Sequence, residues 1–224
     1  MGRRRATALA AAGLVLALAG CSSDGDATGG GEGADGSGSA AERPTPIDAA
    51  LLECGDPAGA DPTLQLSEVD LTQVTWEMPS GFVETFAYSE DLPVEHIESF
   101  WAAEPEEDPV PLNVLTVVVY GRMDWSGDAD ECGRVPISAV DERLAGYHEV
   151  NGAQPLTEVE QVELAGLPAL RQDLELPDYS YRGYWVFGRD QMVHLYCQWT
   201  SEAEQERVLA GCEELLASFE APGA

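Results

Sequence analysis

The sequence contains no lysine. All eleven of its basic residues are arginines, set against 41 acidic ones, for a net charge of −30 at neutral pH. Arg3 to Arg5 are three of the eleven, so the rest of the chain has very little positive charge. That deficit excludes nucleic acid as a partner, because gripping a polyphosphate needs a basic footprint. It also excludes electrostatic docking on anionic lipid. Self-repulsion favours a soluble monomer and opposes compactness at low salt. A GC-rich genome, which favours Arg, Ala and Gly, accounts for the skew without a cationic partner.

Long apolar runs are missing too. The 14 residues from Ala6 to Ala19 make a helix of about 21 Å, at roughly 1.5 Å per residue. A hydrocarbon core about 30 Å thick needs about 20 apolar residues. The run is therefore read as an export signal, with Arg3 to Arg5 as its cationic start and small residues before a cleavage point. The later apolar stretch, Val117 to Tyr120 with Leu115 nearby, is strand-sized.

Catalytic signatures are also absent. The domain has no G-x-S-x-G nucleophile elbow. His148-Glu149 opens as H-E, but no second histidine follows at the zinc spacing. His96, His148 and His194 lie far apart in sequence, and each reads as an exposed or half-buried polar residue. Carboxylate pairs abound in so acidic a chain and single out no glycosidase dyad. No glycine-rich phosphate loop links a strand to a helix. The expectation is a protein that is not an enzyme and carries no cofactor, with an envelope hydrolase the least favoured reading.

What is present begins at Cys21. Leu18-Ala19-Gly20-Cys21, behind a basic start and an apolar core, resembles the bacterial lipobox. The resemblance implies that residues 1–20 are a lipoprotein signal peptide. Cleavage leaves Cys21 as the new N-terminus, its sulfur carrying diacylglycerol. One acyl chain binds a membrane marginally, at about 0.8 kcal/mol per buried CH₂; two or three hold a protein there without a helix. Twin arginines keep folded export open beside the general route. Residues 21–47 are dominated by Gly, Ser, Ala and Asp, with no aromatic or branched apolar residue from Ser22 to about Thr45, so they read as a tether spanning roughly 28 Å. Residues 48–220 then make one domain, placed on the extracytoplasmic face of the membrane.

With Cys21 lipidated, Cys54, Cys132, Cys197 and Cys212 remain, enough for two disulfides in three possible connectivities. Alternation in "MVHLYCQWT" puts Val193, Leu195, Cys197 and Trp199 on one strand face. The next segment opens with Ser201-x-x-Glu204, a capping-box pattern. Its stripe of Val208, Leu209, Cys212, Leu215, Leu216 and Phe219 is helical. Both cysteines thus face one strand–helix interface. The expected pairs are Cys197–Cys212 and, by remainder, Cys54–Cys132.

The other elements follow from periodicity. Short helices are expected at Pro46 to Glu53 and Ile97 to Ala103. Val74, Trp76 and Met78 alternate as a strand, and Phe82 to Tyr88 follows as another across Pro79-Ser80-Gly81. Asn113 to Asp124 is the most apolar strand and is placed centrally, with a helix at Val135 to Tyr147 after a polar loop. Strands come next at Thr157 to Leu164, Ala169 to Leu176, Tyr181 to Phe187 and Met192 to Trp199, then the closing helix. Blocks of strands with segregated helices mean an α+β class with a central antiparallel sheet flanked by helices.

Pro79-Ser80-Gly81-Phe82, and Val162-Glu163-Leu164-Ala165-Gly166-Leu167-Pro168-Ala169 before a hairpin, resemble the PsbP-like fold. The likeness is to LpqN-type and related lipoproteins of actinobacteria, over about Leu71 to Phe219. It implies an α-β-α sandwich and a non-catalytic accessory or binding module, with no catalytic residues to carry over. The favoured function is a membrane-anchored lipoprotein that binds or scaffolds an envelope partner. The alternative is a carrier of a small ligand: lipid, glycolipid or cation. Two local features suggest sites. Asp124, Ser126, Asp128 and Asp130 alternate like half a calcium loop, but glycine is missing at the sixth position and glutamate at the twelfth, which favours a solvated loop. Tyr179, Tyr181, Tyr184 and Trp185 crowd one hairpin, either as a stacking surface or as strand packing.

Overall fold

The computed structural model describes residues 62–224. An eight-stranded antiparallel sheet dominates. Its strands are β2 (Phe82–Glu84), β3 (His96–Pro105), β4 (Val114–Gly121), β6 (Gln154–Pro155), β7 (Glu160–Leu164), β8 (Leu167–Glu175), β9 (Ser180–Phe187) and β10 (Gln191–Trp199). Their order is β2-β3-β4-β10-β9-β8-β6, with β7 also pairing β8. A small second sheet pairs β1 (Thr63–Gln65) with β5 (Arg134–Pro136). Two α-helices, α1 (Ile137–Asn151) and α2 (Glu202–Ser218), and a short 3-10 helix at Leu71–Gln73 complete the described elements. The class is α+β with an antiparallel sheet.

Alternation along the strands sorts side chains into two cores. Leu115, Val117 and Val119 of β4 join Val193, Leu195 and Cys197 of β10 under α2. Val118, Tyr120, Trp185, Phe187 and Met192 pack on the opposite face with Val140 and Leu144 of α1. Both faces of β4 are therefore covered, and all eight of its residues are buried. This is why its sequence is a near-continuous apolar run rather than an alternating one.

Ser201 caps α2 by accepting a 3.3 Å hydrogen bond from Glu204 N–H, as the capping box requires. Cys197 and Cys212 are disulfide-bonded with Cα atoms 5.9 Å apart, within the range such a bridge spans. Cys132 is also disulfide-bonded; Cys54, its expected partner, lies outside the described residues, as do Cys21 and the expected helix at 46–53. The Ala165-Gly166 turn joins β7 to β8 with both residues at positive φ, 52° and 78°, the conformation of a two-residue hairpin turn.

Several elements differ from expectation. Residues 97–103 are not helical but belong to β3, which pairs β4 with a register shift between Ile97 and Ser99. So short an apolar segment fits either period, and Ile97, Phe100 and Trp101 are better strand formers than helix formers. Val74 to Met78 is not a sheet strand; Thr75 alone bridges Glu220 near the chain end. There Trp76 stacks on Phe219 at 6.3 Å and meets Trp101 edge-on at 5.4 Å. The strand expected over residues 82–88 stops at Glu84. α1 begins at Ile137, because Val135 is used in β5, and runs to Asn151 before Gly152 stops it at φ 70°.

Candidate binding cavity

The face of the sheet under α1 is not covered along its whole length. α1 ends at Asn151, and beyond that end a cavity of about 350 Å³ opens over the sheet. Alternation places Tyr196 and Gln198 of β10 on its floor, and the register sets Thr116 of β4 and Tyr181 of β9 beside them. His194 lines it from the same face of β10. The segment 86–95 forms the other side with Tyr88, Glu90 and Leu92, and Tyr179 stands near the β8–β9 turn.

Hydrogen bonds hold the walls. Tyr196 Oη–H donates to Glu90 Oε2 at 3.2 Å. Gln198 Nε2 donates to the Leu112 carbonyl at 2.9 Å, and Leu112 N–H donates to Tyr88 Oη at 3.1 Å. At the far end of the segment, Glu95 Oε1 accepts from Arg143 Nη1 at 2.6 Å and from Tyr147 Oη at 2.7 Å. The Arg143 guanidinium also lies over the Trp125 ring, 4.4 Å from its centroid. Helix α1 thus ties down the end of the segment that encloses the cavity.

The lining is electrostatically unusual. Burial holds the Glu90 carboxyl above its ordinary range, opposed by the Tyr196 hydrogen bond and helped by Asp91. Burial also raises the Tyr179, Tyr181 and Tyr196 hydroxyls, and the charge of Glu90 adds to each. His194 is pushed down to about 3 by burial, with His148 a secondary cause, and is neutral. Its ring stacks on Trp185 at 4.8 Å. Among the described residues, His194 Nε2 and Asn151 Oδ1 are buried lining atoms with no hydrogen-bond partner, and Thr116 Oγ1 has none beyond a contact with Tyr196. His194 is 6% exposed and Thr116 1%. A polar atom left unsatisfied in the interior costs about 1–3 kcal/mol, a cost that a water or a ligand group can remove.

The sequence-derived candidates fare differently. Asp124 Oδ1 accepts from Ser126 N–H at 2.8 Å. Asp130 Oδ1 accepts from Cys132 and Arg134 N–H at 2.9 and 2.8 Å, and Oδ2 pairs with the Arg134 guanidinium at 2.8 Å. Asp124 and Asp130 thus hold their own loop together. Neither they, Ser126 and Asp128, nor any other described residues, form a group of three or more His, Cys, Asp or Glu placed to hold a metal.

The aromatic hairpin is not an exposed platform. Tyr184 turns into the α2 core and Trp185 into the α1 core, since neighbours on a strand face opposite ways. Tyr181 is buried and Tyr179 half-buried, and these two line the cavity. His148 and His194 are buried, not exposed; His96 is exposed beside Glu98. Sequence reasoning missed Tyr88, Glu90, Thr116, Tyr196 and Gln198. The signal was His194-x-Tyr196-x-Gln198, a polar set alternating with Val193, Leu195 and Cys197 in one strand.

No protein-family model matches the chain, and no curated protein does. Among solved structures it is similar to the solution structure of cyanobacterial PsbP (CyanoP) from Synechocystis sp. PCC 6803. The identity is 11% and the TM-score 0.41, over 74% of this chain and 96% of that one. At that level the likeness bears on neither the cavity nor the activity. Among the described residues no helix is long and apolar enough to cross a membrane.

Proposed function

We propose that this chain is a non-catalytic lipoprotein, of the LpqN-type or a related actinobacterial group, that binds a small ligand on the extracytoplasmic face of the membrane. Cys21 is its lipid anchor and residues 21–47 its tether. The single observation that carries the ligand reading is the cavity beyond α1, floored by central strands and lined by buried polar atoms without partners among the described residues. Pockets of this size, with a few placed polar groups, are where small molecules bind. This moves the small-ligand alternative ahead of the scaffolding role. The non-catalytic assignment rests on the catalytic signatures missing from the sequence.

Two measurements test the reading. Full-length protein is extracted from membranes in a non-ionic detergent and weighed by native mass spectrometry. A bound small molecule is expected, and it should be absent from Ala87→Trp, a bulky change at an exposed lining position. Identical, ligand-free masses for both proteins would rule out the ligand reading. Cys21→Ser should move the protein from the membrane to the soluble fraction; retention on the membrane would rule out the anchor.

A further inference from the structure

We propose that the cavity beside residues 86–95 binds a small organic cation, its ammonium group seated against tyrosine faces and paired with Glu90. This rests on the ligand-binding reading above and names the chemistry of the ligand.

Charge is the first support. Glu90 and Asp91 line the cavity, and none of the described arginines does. The described ion pairs leave Glu90 out; its hydrogen bond comes from Tyr196, a neutral donor. A half-buried carboxylate without a cation is costly, and an ammonium entering beside it offsets that cost. The same two carboxylates repel an anion. His194, being neutral, does not repel a cation.

The aromatic lining is the second. Tyr88, Tyr179, Tyr181 and Tyr196 all contribute. The Tyr181 and Tyr196 rings lie 5.6 Å apart and tilted by 58°, so they form a corner rather than a parallel stack. Aromatic faces attract cations, and quaternary ammonium groups most characteristically. Glu90 Oε2 lies 3.2 Å from Tyr196 Oη, so its negative charge adds to the attraction at this corner.

Ligand size and type form the third. A hard metal ion takes six or more oxygen ligands, whereas described residues offer no group of three or more His, Cys, Asp or Glu suited to a metal. Bulky, weakly hydrated ammonium ions need no such cage. Asn151 Oδ1 is a buried acceptor without a partner among the described residues, suited to an N–H or O–H elsewhere on the ligand. A volume of about 350 Å³ limits the ligand to a small molecule.

The test is isothermal titration calorimetry of the full chain in non-ionic detergent. The probes are choline, its neutral carbon isostere 3,3-dimethylbutan-1-ol, and calcium chloride. Choline is expected to bind about tenfold or more tightly than the isostere. Glu90→Gln should weaken choline about tenfold and leave the isostere unchanged, while Ala87→Trp should block both. Circular dichroism and melting of both variants confirm that they fold. Equal affinity for choline and the isostere would overturn the cation inference and leave the ligand reading standing. Heat from calcium but not choline would also overturn it, as would silence from both organic probes. Native mass spectrometry decides the ligand reading separately.

Discussion

His194 is where a single residue links the fold to pH. In the unfolded chain its imidazole titrates near 6.5; in the fold burial holds it down to about 3. Below about pH 6.5 the unfolded chain takes a proton that the folded chain refuses. The resulting stability is therefore complete above that pH and falls as pH drops toward 3, by about 1.4 kcal/mol per pH unit. His194→Phe keeps a ring against Trp185 and removes the titration. Urea unfolding between pH 6.5 and 4.5 should show a steeper loss for wild type than for His194→Phe; equal slopes would refute the account. His148, lowered the same way by burial, contributes in both proteins. Glu90 has the opposite sign, since its raised carboxyl favours the folded state as pH falls. Gly183 serves the same aromatic stack. A Cβ there would sit 2.8 Å from Trp185 Cζ2, so the indole occupies the space a side chain would need. Gly183→Ala should destabilise by about 1–3 kcal/mol, as overpacking does, and displace the tryptophan emission. A neutral result would mean the ring moves without cost.

At the scale of elements, β10 and α2 form one covalent unit. The Cys197–Cys212 bridge closes a loop of 15 residues. In the chain-entropy model such a loop stabilises by about 3 kcal/mol. Cys197→Ala with Cys212→Ala should lower the unfolding free energy by roughly that amount, read by guanidinium denaturation, provided Cys132 is left oxidised. A loss under about 1 kcal/mol would show that α2 packs without the bridge. This pairing was legible because two periods met: alternation on the strand and a helical stripe after a capping box. β3 was not legible as a strand. Its seven central residues match either period, and only pairing with β4 resolves the choice. Val74 to Met78 failed in the opposite direction. It alternates like a strand, but its neighbour is the chain end at Glu220, not a sheet edge. The cavity wall at 86–95 has no regular periodicity at all, so its placement depends on Arg143, Tyr147 and Tyr196, residues far away in sequence.

For the molecule as a whole, charge dominates. With 41 acidic residues against eleven basic ones, folding concentrates like charge. Raising salt from about 10 mM to about 1 M shortens the screening length from about 30 Å to about 3 Å. The melting temperature should rise across that range by scanning calorimetry; a flat or falling curve would mean that local ion pairs outweigh the general repulsion. The sequence alone determined this charge, the α+β class, the Cys197–Cys212 bridge and the expectation of a lipid anchor at Cys21. Each depends on composition, on a local motif or on a periodicity carried within one or two neighbouring elements. Only the tertiary structure decided which polar residues share a space. Tyr88, Thr116, Tyr181 and Tyr196 come from four separate parts of the chain, and they meet because antiparallel register aligns three strands beyond the end of α1. Register and helix length are properties of the packed sheet, so the cavity they define has no counterpart in any single stretch of sequence.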